Sequence, residues 1–66
     1  MLKIKVIIEQ SADGHYWAHA DNAEGINGEG STIDKVKKSV LECIETQKEL
    51  GNFKVEKYKV LFVIEE

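Results

Sequence analysis

A single thiol, Cys43, is all the cysteine this chain of 66 residues contains. One cysteine rules out an internal disulfide framework, which fits a reducing, cytoplasmic compartment. Long apolar runs are also missing. The longest are a few residues, against the roughly 18 needed to span a bilayer, so no membrane association is expected. No signal-peptide pattern opens the chain, since Met1-Leu2-Lys3-Ile4-Lys5 alternates instead. A basic surplus is lacking too. Nine basic residues against twelve acidic ones leave a net charge of -3. Phosphate affinity needs a basic footprint, so direct nucleic-acid binding by this domain alone is disfavoured, while a basic protein partner is allowed.

Catalytic constellations are absent as well. Cys43 has helical core spacing and no histidine near it in sequence, which reads as a buried structural cysteine rather than a nucleophile. There is no D-x-D-x-D-G calcium loop. The run Gly25-Ile26-Asn27-Gly28-Glu29-Gly30 is not G-x-G-x-x-G read forwards and has no P-loop lysine, so its glycines are expected to serve hairpin turns and a bulge. No enzyme activity, cofactor or metal is expected.

What is present is one domain, residues 1–66, of ordinary soluble composition with 42% hydrophobic and 32% charged residues. A chain this short buries only about 60% of its unfolded surface, so a partner or second domain often adds stability. Leu2, Ile4, Val6 and Ile8 alternate with Lys3, Lys5, Ile7 and Glu9, the period of a half-buried strand. Ser11-Ala12-Asp13-Gly14 carries hairpin chemistry, and His15 to Ala20 reads as a second strand. After a polar loop from Asp21 to Gly25, Ile26 to Gly30 reads as a weak edge strand, because glycine packs nothing. Ser31 or Thr32 can cap a helix, Ser31 with Asp34 in a capping-box variant. Ile33, Val36, Val40, Cys43, Ile44 and Gln47 then follow helical spacing. The helix should stop near Leu50, before Gly51 and Asn52. Phe53 and Val55 lead into a last strand, roughly Glu56 to Glu65.

The fold class is therefore α+β, ordered βββαβ. It comprises a three-stranded antiparallel meander, one helix on one face, and a fourth strand reached by a parallel, right-handed crossover. One helix covers one face. That face should hold Ile4, Val6, Tyr16, Ala18, Val60 and Phe62, with the small Ala18 and Ala20 letting the helix come close. The other face would show Ile7, Trp17, Leu61 and Val63, and an apolar cluster of that kind often marks an interface.

His15 and His19 could suggest a metal pair, but on one strand face they stand about 13 Å apart, and surface histidines are the better reading. Asp13, Asp21, Glu24 and Glu29 could suggest a metal-holding acid cluster, yet they fall in turns and loops and read as solvated acids. Trp17 serves equally well as core or as interface anchor.

These residues resemble the N-terminal domain of HicB-type antitoxins. Asp13-Gly14-His15-Tyr16-Trp17-Ala18 matches the D-G-x-Y-x-A motif, Gly25 the loop glycine, and Gly30-Ser31-Thr32 the turn before the helix. Asp34, Val36, Glu42 and Ile44 fit the helix pattern. The family's loop prolines are replaced by Asp21 and Glu24, its aspartate by Ser31 and its asparagine by Ser39. The resemblance implies a partial ribonuclease H-like fold without catalytic acids. It implies an antitoxin domain that binds and neutralises a small, basic, HicA-like mRNA-cleaving toxin. Apart from the resemblance, the uncovered face could also join a second copy of the chain, and a homo-oligomer is expected. The family's C-terminal DNA-binding domain has no room before Glu66, so an isolated domain or an orphan relative is expected. The residues expected to meet the partner are Trp17, His19, Asp21, Glu24, Glu29, Leu61 and Val63. The rival readings are a structural or ligand-sensing module with an enclosed apolar pocket, and a metal-dependent nuclease relative.

Overall fold

The computed structural model describes residues 2–52 and 57–65. Four strands and one helix follow in the order β1 (Leu2–Gln10), β2 (Tyr16–Ala20), β3 (Asn27–Gly30), α1 (Ile33–Glu49) and β4 (Tyr58–Ile64). The sheet order is β3-β2-β1-β4. β1 pairs antiparallel with β2, β2 antiparallel with β3, and β4 parallel with β1. This is the expected α+β, βββαβ arrangement. β4 begins two residues later than the expected Glu56; Phe53, Val55 and Glu56 lie outside the described residues.

β1 is central because it alternates most cleanly. Ile4, Val6 and Ile8 are fully buried, and Val36, Val40 and Ile44 of α1 meet them from above. Each such aliphatic side chain contributes roughly 1.5–3 kcal/mol on burial. Among the described residues Ala18 and Ile26 complete the buried set, with Tyr16, Val60 and Phe62 packed partly against it. The residues expected on the covered face do share it, though Val60 and Phe62 are only half-buried.

The reason is where α1 sits. It packs chiefly against β3 and less against β2. A Cβ built on Gly30 would stand 2.6 Å from the Val36 backbone nitrogen, and one on Gly28 2.8 Å from that of Val40. The glycines of β3 thus admit the helix backbone itself. This corrects the expectation that they serve turns and a bulge; of the three, only Gly25, with φ +79°, is a turn glycine.

Local chemistry fixes the ends of the elements. The Thr32 side chain accepts the Lys35 N–H at 3.1 Å, so Thr32 is the N-cap and the Ser31–Asp34 box does not form. At the other end Gly51 adopts φ +78°. Its N–H donates to the Lys48 carbonyl and that of Asn52 to the Gln47 carbonyl, a Schellman closure. The Asp13-Gly14 turn is not a two-residue primed turn, because no non-glycine residue among those described has positive φ. Instead the Gly14 N–H closes onto the Ser11 carbonyl, Gly14 takes φ +90°, and the Ser11 N–H meets the His15 carbonyl. That is a three-residue loop with glycine in the left-handed position. Past the end of β2, the Asn22 side chain continues the ladder, accepting from the Lys5 N–H at 3.0 Å and donating to the Lys3 carbonyl at 2.8 Å.

Two stability measurements check this packing. Gly30→Ala should keep its helix content yet lose about 1–3 kcal/mol in urea titration, since backbone must shift to admit the methyl. Val40→Ala should cost on the order of 1–3 kcal/mol by loss of buried surface and the cavity left behind.

Candidate functional site

The period of two along each strand sends alternate residues to the face opposite α1. Asn27 and Glu29 of β3, Trp17 and His19 of β2, Ile7 and Glu9 of β1, and Leu61 and Val63 of β4 all share it. The register sets their neighbours: His19 and Val63 flank Ile7, Glu9 and Glu29 flank Trp17, and Leu61 stands beside Lys5. Trp17 is 50% exposed, Leu61 48% and Val63 41%, while Ile7 between them is half-buried. Side chains this large and this open on one face outline an apolar diagonal rather than scattered surface residues. Trp17 thus belongs to the surface and not to the core, which decides a question its sequence context left open.

Charge is divided along the same face. Lys3, Lys5 and Lys59 stand at one end, with Lys3 beside Lys59 in register. Glu9 and Glu29 stand at the other, either side of Trp17. The His15 ring meets the Trp17 ring edge-on at 4.9 Å and 62°, and its Nε2 lies 3.7 Å from a Glu29 carboxylate oxygen. The His15 ring thereby packs against Trp17, which otherwise stays half open to solvent.

Of the residues expected to meet a partner, Trp17, His19, Glu29, Leu61 and Val63 come together here. Asp21 and Glu24 do not. They lie in the loop beyond the far end of β2, where the Asp21 N–H donates to the Lys5 carbonyl. Glu9 stands beside Trp17 and was missed by sequence reasoning; the register that brings them together depends on the loop before β2. Cys43, expected in the core, is half-buried at its flank, with Sγ 3.4 Å from the Gly25 carbonyl oxygen. The buried stripe runs Val36, Val40, Ile44 at four-residue steps, and Cys43 falls one residue to its side. Gln47 donates to the same carbonyl at 3.4 Å, so the pair pins the β2–β3 loop to the helix.

The carboxylates weighed as a metal cluster are dispersed. Among the described residues no three His, Cys, Asp or Glu side chains are grouped to hold an ion. Asp13 is occupied within its turn. It accepts from the Ser11 hydroxyl and, at 3.1 Å, from the His15 N–H. These hydrogen bonds, that of Ser11 first, favour the carboxylate and hold its pKa below the ordinary 3.8. No described helix is long and apolar enough to cross a membrane.

The sign of the Asp13 shift sets its pH dependence. A depressed carboxyl pKa stabilises the turn in full above the unfolded value of 3.8, and that contribution is lost as pH falls through the lower folded value. Carbon-detected NMR titration should show Asp13 titrating below 3.8, and Ser11→Ala should return it toward that value.

Compared with known proteins, the chain is similar to UPF0150 protein ssl0738 of Synechocystis sp., with 40% identity over 43 residues, 65% of this chain and 60% of that protein. The match therefore spans less than two thirds of the relative's length. No family model matches the chain, and no solved structure matches it.

Proposed function

We propose that this chain is a non-catalytic, protein-binding domain of the HicB antitoxin type, whose uncovered sheet face receives a small basic toxin of the HicA type. The observation that supports this most directly is Trp17, half exposed in the middle of an acidic row between Glu9 and Glu29. Tryptophan is a rigid amphipathic anchor, and such residues dominate binding energy when a partner desolvates them. Flanking carboxylates attract a basic surface and raise its rate of encounter. The D-G-x-Y-x-A motif supports the reading from the sequence side, because Asp13 and Gly14 build the turn that delivers Trp17 to this face. On this view the domain silences its partner by covering the toxin's RNA-contacting surface, with no chemistry of its own.

The test uses a HicA-type toxin and the wild-type domain. Trp17→Ala, verified as folded by circular dichroism, should weaken the complex by about 2 kcal/mol or more, roughly thirtyfold. Glu29→Lys should chiefly slow association and flatten its salt dependence. Unchanged binding by both folded variants would assign the wrong surface. RNA cleavage by the domain alone with magnesium or manganese, abolished by Asp13→Asn or Asp21→Asn, would replace the reading with that of a nuclease.

A further inference from the structure

We propose that two copies of this chain associate through the outer edge of β4, joining their sheets antiparallel across a twofold axis. The inference is independent of the toxin reading and rests on a contrast between the two edges of the sheet.

The β3 edge is closed. The Glu29 N–H, which the antiparallel pattern turns outward, donates to Ser39 Oγ of α1 at 3.1 Å, and the helix backbone lies directly on Gly28 and Gly30. Among the described residues the β4 edge has no such cover. Among the described residues no strand pairs with its outer side. The Leu2 N–H donates to the Lys57 carbonyl and the Glu65 N–H to the Ile8 carbonyl, so odd-numbered residues of β4 spend their backbone groups on β1. The N–H and C=O groups of Val60, Phe62 and Ile64 then point out of the sheet. Native edge strands are usually guarded by shortness, proline, a bulge or charge. β4 is seven residues of YKVLFVI with Lys59 as its one charge.

Its side chains are open on both faces. Leu61 and Val63 are 48% and 41% exposed on the uncovered face, and Ile64 is 53% exposed on the helix side. α1 reaches this strand with side chains only: the Lys37 ammonium lies 5.4 Å from the centre of the Phe62 ring, and that of Lys48 5.4 Å from the Tyr58 ring. The helix backbone, seated over β3 and β2, leaves room for another strand.

The sequence of β4 suits itself in one antiparallel register. With the twofold axis between the two copies of Phe62, the outward groups of Val60 meet those of Ile64 in the second copy. Leu61 stands opposite Val63, and Lys59 opposite Glu65. Apolar residues then face apolar residues on both sides of the joined sheet, and each lysine faces a carboxylate, the cross-strand pairing that antiparallel sheets favour.

Sedimentation velocity and amide exchange by NMR test this together. Expected is a concentration-dependent dimer in which the Val60, Phe62 and Ile64 amides are protected, with that protection lost on dilution. Ile64→Pro removes an outward N–H that the β1 ladder does not use and should abolish the dimer. Lys59→Glu should weaken dimerisation about tenfold or more by opposing like charges, and Lys59→Glu with Glu65→Lys should restore it. Should the proline variant fail to fold, the charge pair decides. Three results would each overturn the proposal: a monomer at every accessible concentration, a dimer whose three amides exchange freely, or a charge reversal without rescue. Loss of the dimer in Trp17→Ala but not in the β4 variants would also do so, and would place the contact on the sheet face.

Discussion

The seating of α1 on the bare backbone of β3 decides which surfaces of this protein are covered. A helix on an ordinary strand stands off by the length of the side chains between them. Here Gly28 and Gly30 remove that spacer, and the Val36 and Val40 backbone comes within a methyl's reach of the sheet. The helix is drawn toward one edge, where Ser39 can take the Glu29 amide. The same displacement strips cover from the opposite edge. β4 is left with lysine stems from α1 in place of a helix face, and lysine is suited to that task because its methylenes cover apolar surface while its ammonium stays in water.

The core that results is small and concentrated. Among the described residues the six fully buried large side chains come from β1 and α1, three from each. Ala18 and Ile26 extend it toward β3, while β4 adds only partly buried groups. The strand that closes the fold in sequence is thus the one least anchored by burial. It is held mainly by its parallel ladder to β1, and parallel pairing is slightly the weaker kind per residue. A domain of this size has little stability to spare, so association at β4 would strengthen the fold where it is thinnest.

Much of this was legible in the sequence, and most of the exceptions share one cause. Period-two alternation gave β1 and its faces, and helical spacing gave α1, with its start left open between Ser31 and Thr32 and its stop placed before Gly51. Trp17, Leu61 and Val63 fell on the uncovered face as their alternation required. Apart from the Ser31–Asp34 box, a local alternative that lost to Thr32, the misreadings needed knowledge of two elements at once. Gly28 and Gly30 look like turn glycines until a helix is placed on them. Cys43 looks like core until the helix is rotated onto that narrow glycine seat, which puts Val36, Val40 and Ile44 inside and Cys43 at the flank. Glu9 looks like one more solvated acid until the turn register sets it beside Trp17. Ile26 could have been found, because it stands in phase with Gly28 and Gly30 as the one apolar residue of that alternation, but a stretch so rich in glycine and polar residues hides its period.

The uncovered face and the open edge demand different things of whatever meets them. On the face, backbone groups are already paired within the sheet, so a visitor can gain only from side chains: the ring of Trp17, the apolar diagonal through Ile7, and the separated charges at either end. Such a surface selects by shape and sign and suits a foreign protein. At the β4 edge the backbone itself is the ligand, and backbone pairing is blind to sequence except through the side chains it brings into register. Selectivity there must come from β4's own order of residues, and the order from Lys59 to Glu65 is complementary to its own reverse. A strand read antiparallel against its twin needs no co-evolving partner to remain matched, because a substitution that preserves its self-complementarity does so in both copies at once. The two surfaces can therefore serve different occupants. Extending the sheet at β4 leaves Trp17, two strands away at the start of β2, uncovered in each copy.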